Sequence, residues 1–168
     1  MSVTYQSNLN KFQKSGFRVV VDRENYGTAE FMAYQLMHPD ISLPSALVNF
    51  RNAKAPLPGD TADFTPLSIE FHVDEEFKSY KELLDWIFRN RDNNFVGSMS
   101  RNDELIPSVA DISIPLLNSA NNKLGTIKYI GCVPTNMTGL EFTATDEGIE
   151  YSTFTATFDI TKFELILD

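Results

Sequence analysis

Pro66-Leu-Ser-Ile-Glu-Phe-His-Val73 alternates without a break: Leu67, Ile69, Phe71 and Val73 share one side of an extended chain, and Ser68, Glu70 and His72 the other. That is the period of a strand with one face in a core and one in water. A few residues on, Ser79 is followed three positions later by Glu82, the pattern of a capping box. Tyr80, Leu83, Leu84, Ile87 and Phe88 then recur at helical spacing. The spacing predicts a helix of about three turns that ends at Asn90-Arg-Asp-Asn-Asn94. No other segment keeps a helical period as long, so this helix has to pack on sheet. Trp86 stands about a right angle off the stripe. It reads as the edge of the buried face or as a contact with another subunit.

Strand patterns surround this unit. Phe17 to Asp22 is β-branched, and Arg23-Glu-Asn-Tyr-Gly27 reads as a turn. Glu30 to Leu36 is apolar and follows that turn closely enough to prefer strand. Pro39 and Pro44 make Met37 to Pro44 an edge or crossing segment, and Ala46 to Lys54 is able to pair again. Ala55-Pro-Leu-Pro-Gly-Asp-Thr-Ala-Asp63 reads as an exposed loop, and loops of this length in compact domains are more often functional than idle.

Beyond the helix, Gly97 to Pro107 has no period. Ala110, Ile112, Ile114 and Leu116 alternate with polar neighbours, Asn118 to Gly125 signals a hairpin, and Thr126 to Val133 returns. A turn at Pro134 to Gly139, a short strand from Leu140 to Thr145 and a turn at Asp146-Glu-Gly148 precede the longest strand. There Phe154, Ala156, Phe158 and Ile160 alternate with Thr153, Thr155, Thr157 and Asp159, a greasy face against a threonine face. The sum is an α+β, mainly β fold: an antiparallel barrel or sandwich of about seven strands, closed or nearly so, with one flanking helix. Residues 1–15 read as an extended arm, 16–160 as one domain and 161–168 as a C-terminal tail.

The chain has 168 residues, enough for a core without staples, and 42% of them are hydrophobic. Its apolar runs are too short to span a bilayer, and Met1-Ser-Val-Thr-Tyr-Gln lacks the regions of a signal peptide, so synthesis in a cytoplasm and no membrane partner are expected. Cys132 is the single cysteine, and the Asn136-Met-Thr138 sequon has no secretory route to give it meaning. A net charge of −9 opposes phosphate gripping, because nucleic-acid affinity rests on Lys and Arg.

Catalytic signatures are lacking. His38 and His72 lie far apart and no Cys or His pair has metal-ligand spacing, so no metal or cofactor is expected; the acidic loop around Asp60 and Asp63 lacks a calcium-hand pattern. Glu70 and His72, on one strand face, are the one plausible acid and base, unaccompanied by a nucleophile motif. Asp74-Glu-Glu76 precedes the helix where a phosphate loop would need glycines.

The order of elements resembles the tail tube proteins of contractile-tailed, T4-like bacteriophages. The resemblance rests most on Tyr129-Ile-Gly-Cys-Val-Pro-Thr-Asn136, the Leu140 strand, the Asp146 turn, Ile149 and Phe154-Thr-Ala-Thr-Phe158. It also takes in Leu43-Pro44 and the helix with Leu84-Asp-Trp86. Residues 1–15 and 97–107 do not match. The resemblance implies a virion protein whose hexameric rings stack into a tube for genome passage, with sheath, baseplate and tape-measure proteins as partners. The alternatives are a tube-initiating baseplate protein, a tube subunit of a contractile injection system and, from another class, a small barrel enzyme or ligand carrier. On the tube reading, Leu57, Pro58, Gly59, Asp60 and Asp63 are expected to contact an adjoining ring. Thr153, Thr155 and Thr157 are expected to face the lumen or a subunit seam, where a wet, net acidic wall lets DNA slide.

Overall fold

The computed structural model describes residues 12, 14–21, 32–93, 109–143 and 151–167, apart from the side chains of residues 50, 92 and 93. The proposed N-terminal arm falls almost wholly outside these residues. So do the turns at Arg23 to Gly27 and Asp146 to Gly148 and the segment from Gly97 to Pro107.

The strands are β1 (Ala33–Met37), β2 (Ile41–Ser42), β3 (Ser45–Phe50), β4 (Ala53–Pro58), β5 (Asp63–Phe64), β6 (Leu67–His72), β7 (Ala110–Leu117), β8 (Lys123–Met137), β9 (Thr153–Asp159) and β10 (Lys162–Leu167). The helix α1 spans Lys78–Asn93. The spine is β8. Its first half pairs with β7, and β9 and β10 pair with it in succession in one register, Val133 opposite Asp159 and Ile130 opposite Lys162. Beyond β9 come β6 and then β1, all antiparallel. Phe17 and Val20 bridge to β7, so the β-branched segment before Asp22 extends the sheet at its other end. Among the described residues the two ends of the sheet do not bond to each other, and the sheet is a curled half-barrel rather than a closed cylinder.

A curl needs a bend in the long strand, and Gly131 supplies it. Its φ is +71°, a region that glycine enters without penalty. Tyr129 and Cys132 are both fully buried although three residues apart, which shows that the irregularity flips the alternation and keeps the core face inward on both sides. The Asp111 carboxylate accepts the Gly131 N–H at 3.1 Å and pairs with Lys128 at 2.9 Å. The Lys128 contact and the Gly131 N–H hold its carboxyl below the usual range against a smaller opposing effect of burial. The strand then runs on through Pro134, which is buried, to Met137. The turn expected at Pro134 to Gly139 is therefore strand for most of its length, and no strand occurs at residues 140–143.

The inner face gathers Leu67, Ile69, Phe71, Ile112, Ile114, Tyr129, Phe154, Ala156 and Phe158, all fully or almost fully buried. The helix closes it, with Tyr80 edge-on to Phe154 at 5.2 Å and Trp86 tilted over Phe158 at 5.7 Å. Its buried face is not the stripe expected from Tyr80, Leu83, Leu84, Ile87 and Phe88. Ser79, Leu83 and Trp86 are fully buried, whereas Leu84 and Ile87 are half-buried and Phe88 is exposed beneath the Arg91 guanidinium. Trp86 is thus the centre of the contact. The helix is rotated about a quarter turn because the apolar arc is broad and the largest side chain takes the deepest position.

The cap also differs from expectation. Asp74, not Ser79, caps the helix: its carboxylate accepts the N–H groups of Lys78 and Ser79 at 3.0 and 2.8 Å and the Ser79 hydroxyl at 2.6 Å. Burial alone would raise the Asp74 carboxyl, but the Ser79 and Lys78 hydrogen bonds outweigh it and hold the group at about 2.

Candidate assembly surfaces

Two surfaces stand apart from the core. The first is the outer face of the sheet, opposite the helix. The register sets Ser68 beside Thr157, Glu70 beside Thr155 and His72 beside Thr153, and puts Gln35 next to Glu70 on the far side. The Tyr34 hydroxyl donates to one Glu70 oxygen at 2.6 Å and the Gln35 amide to the other at 3.2 Å. The Glu70 hydrogen bond, with burial second, raises the Tyr34 phenol above its ordinary value. His72 stacks on Tyr34 with centroids 4.2 Å apart, and among the described residues its Nδ1 has no hydrogen-bond partner. Glu70 is therefore engaged by Tyr34 and Gln35 rather than by His72, and the geometry gives the two no shared proton. The Cys132 thiol is buried and pushed up to about 12 by that burial, so it is held as a thiol. Among the described residues no three His, Cys, Asp or Glu side chains gather as metal ligands, and no helix is long and apolar enough to cross a membrane.

Thr153 is exposed, and Thr155 and Thr157 are half-buried. Thr138 crosses to this row: its N–H donates to the Thr155 carbonyl and its hydroxyl accepts the Thr155 N–H, at 2.9 and 2.8 Å. The result is a wall of hydroxyl, amide and carboxylate groups on a rigid sheet, suited to contact with water or a polar solute.

The second surface is a β arm inserted between β1 and β6. At its root Ile41 pairs with Phe64 and Ser42 with Asp63. The Asp40 N–H donates to the Thr65 hydroxyl at 2.7 Å, and the Thr65 N–H returns a bond to the Asp40 carbonyl at 3.1 Å. Phe64 meets Phe163 edge-on at 5.5 Å, and His38 meets both Phe163 and the hydroxyl of buried Tyr129, the latter at 2.7 Å. Above the root, Pro44 and Gly59 cross so closely that a Cβ on Gly59 would lie 2.3 Å from the Pro44 carbonyl oxygen.

Beyond the crossing, β3 and β4 form a hairpin turned by Arg51 and Asn52, and every described side chain in it is exposed. The segment expected to be loop from Ala55 to Asp63 is thus strand from Ala55 to Pro58 and again at Asp63. Gly59 is at the crossing and Asp60 is exposed. Its prolines misled because strand edges accept them. The structure sets the threonine row on the sheet body and the arm residues on a separate projection.

No family model matches the chain. Its sequence is 25% identical over 172 residues to the tail tube terminator protein of Enterobacteria phage T4, covering 100% of this chain and 96% of that one. The fold is shared with the tube-terminating cap of the anti-feeding prophage, at a TM-score of 0.69, 17% identity and coverage of 100% and 95%. It is also shared with a chain of the sheath-tube complex of an extracellular contractile injection system in its extended state, at a TM-score of 0.66, 21% identity and full coverage of both chains. The class this defines is one of likeness: the chain is similar in sequence to a structural protein of a contractile phage tail and has the fold of tube-type proteins of contractile injection systems. Within that class it is similar over its whole length to a protein that terminates the tube.

Proposed function

We propose that the chain forms a hexameric ring that terminates the tube of a contractile-tail particle, with its threonine face lining the channel or a subunit seam and its arm reaching an adjoining ring. The observation that carries this reading is the full-length sequence similarity to a tail tube terminator. On this reading Thr153, Thr155 and Thr157 wet a passage through which the genome leaves. Leu57, Pro58, Gly59, Asp60 and Asp63 contribute to stacking, and sheath, baseplate and tape-measure components are neighbours in the particle. Synthesis in the host cytoplasm precedes incorporation into the virion tail. No chemical step is required of any residue.

The second reading is the tube subunit itself, which the likeness to a chain of a sheath-tube complex favours. Negative-stain electron microscopy of purified protein separates the two. A terminator gives single rings that bind one end of preformed tubes, whereas a tube subunit polymerises into tubes of indefinite length. Protein that stays monomeric at high concentration and binds no tube end overturns both.

A further inference from the structure

The two edges of the arm are chemically unequal. Pro56 and Pro58 have no N–H, so the mutually hydrogen-bonded pairs of the hairpin must be Ala46 with Leu57 and Val48 with Ala55. Ser45, Leu47 and Asn49 of β3 then turn their N–H and C=O groups outward, and so do Lys54, Pro56 and Pro58 of β4. Proline closes the outer edge of β4 to a further strand, leaving Lys54 as its single outward donor. No described strand pairs with the outer edge of β3, which presents three consecutive outward donors and acceptors. On one face of the ribbon Ala46, Val48, Ala53, Ala55 and Leu57 stand together, all exposed, and Val48 and Leu57 are 45% and 51% accessible. A two-stranded ribbon with such a face is marginal alone in water.

We infer that the outer edge of β3 is a strand-addition site, and that a second copy of this chain pairs along it and covers the apolar face of the arm. The charge distribution selects a second copy. Residues 41–58 carry Arg51 and Lys54 and no acidic side chain, whereas the rest of the chain holds all twenty-three acidic residues against twelve basic ones. A cationic, apolar arm is complementary to the acidic body of its own kind. This rests on the ring reading above and adds to it: the β3 edge and the apolar face serve the neighbour within a ring, and the Pro58 to Asp63 end of the arm is left for stacking. Main-chain pairing supplies the affinity, and the apolar face supplies the fit.

The test is Leu47→Pro. Position 47 points its N–H away from β4, and Pro56 directly opposite shows that the ribbon accepts proline at an outward position. Sedimentation velocity should show the concentration for half-assembly raised about tenfold or more, as expected for the loss of edge hydrogen bonds. Pro56→Ala should assemble like the wild type. Amide exchange supplies the second measurement: in assembled wild-type protein the Leu47 and Asn49 amides should be protected, and in dissociated protein they should exchange rapidly. Leu47→Pro protein that assembles at the wild-type concentration overturns the inference. Wild-type rings with rapidly exchanging Leu47 and Asn49 amides also overturn it and leave the ring reading intact. Wild-type protein that never assembles overturns both.

Discussion

Every second side chain of β6 is fully buried, whereas no described side chain of β3 or β4 is buried at all. Both regions are antiparallel strands rich in apolar residues, so the difference lies in what the apolar groups meet. In the body, Leu67, Ile69 and Phe71 share one buried cluster with Phe154 and Phe158 of the adjoining strand and with Trp86 of the helix that covers them. In the arm, Val48 and Leu57 find solvent. Apolar area that leaves water stabilises the fold at about 25 cal/mol per Å², and area that stays exposed contributes nothing to the lone subunit. On the proposed ring reading the arm's hydrophobic content serves the assembly, whereas that of the body is used within the subunit.

The comparison breaks most sharply under truncation to alanine. Trp86→Ala should cost about 3–5 kcal/mol and lower the melting temperature by many degrees, because the cavity opens under the centre of the helix. Leu57→Ala should change the melting temperature of the dissociated protein hardly at all, by about 0.5 kcal/mol or less. Equal shifts would mean that the arm packs on the body. Leu84→Ala should fall between the two, since that side chain is only half-buried.

Two glycines sharpen the same contrast. A Cβ on Gly131 would lie 2.4 Å from the Thr161 hydroxyl and hold an L residue at a positive φ, so Gly131→Ala should destabilise the body by about 1–3 kcal/mol. Gly59→Ala meets the Pro44 carbonyl at 2.3 Å and should loosen the arm instead. Hydrogen exchange should show β3 and β4 amides speeding up while β6 and β9 amides keep their protection. A general loss of protection in the Gly59 variant would show that the arm and body unfold as one unit.

A smaller effect tests the helix cap. The folded Asp74 carboxyl lies at about 2, below its ordinary 3.8, so its stabilisation is present above pH about 4 and is lost as pH falls toward 2. The group is partly exposed and solvent screens it, so Asp74→Asn should cost about 1 kcal/mol at neutral pH. Melting curves of the wild type and the variant should converge on acidification between pH 4 and 2. A gap that persists at pH 2 would show that the carboxylate is not the source of the cap's strength.

Strand alternation made most of the body legible. Leu67 to Val73, Ala110 to Leu116 and Phe154 to Phe158 bury the side that their pattern implies, because a period of two leaves no choice of face. The helix existed where expected, but its facing did not follow: six apolar residues spread over a wide arc allow several centres, and only packing chooses Trp86. The Asp74 cap lies four residues before the first helical amide it binds, outside the local capping-box pattern. The arm was hidden by Pro56 and Pro58, which read as loop until the ladder shows that both point outward. The threonine row was legible as a wet face, since its alternation with Phe154, Ala156 and Phe158 fixes it. On the proposed ring reading, what that face meets is set by neighbouring copies, whose positions the alternation of a single strand does not encode.

The last and smallest expected effect on the subunit belongs to Thr155. Its neighbours on the outer face are Glu70 and Thr138, and it is half-buried, so Thr155→Lys should leave the isolated fold within about 0.5 kcal/mol of wild type. The consequences diverge only in the particle. If the row lines a channel, each copy adds one cation where phosphates pass, and rings form normally while genome release slows, because a cationic wall holds DNA that an acidic one lets slide. If the row lies in a seam, the same ammonium is buried without a partner, at a cost of about 3–5 kcal/mol, and rings fail to form. Electron microscopy of mutant particles paired with a DNA-ejection assay reads both arms. Normal tails with normal ejection would show that the threonine face has neither role and that a different surface of the half-barrel meets the passage.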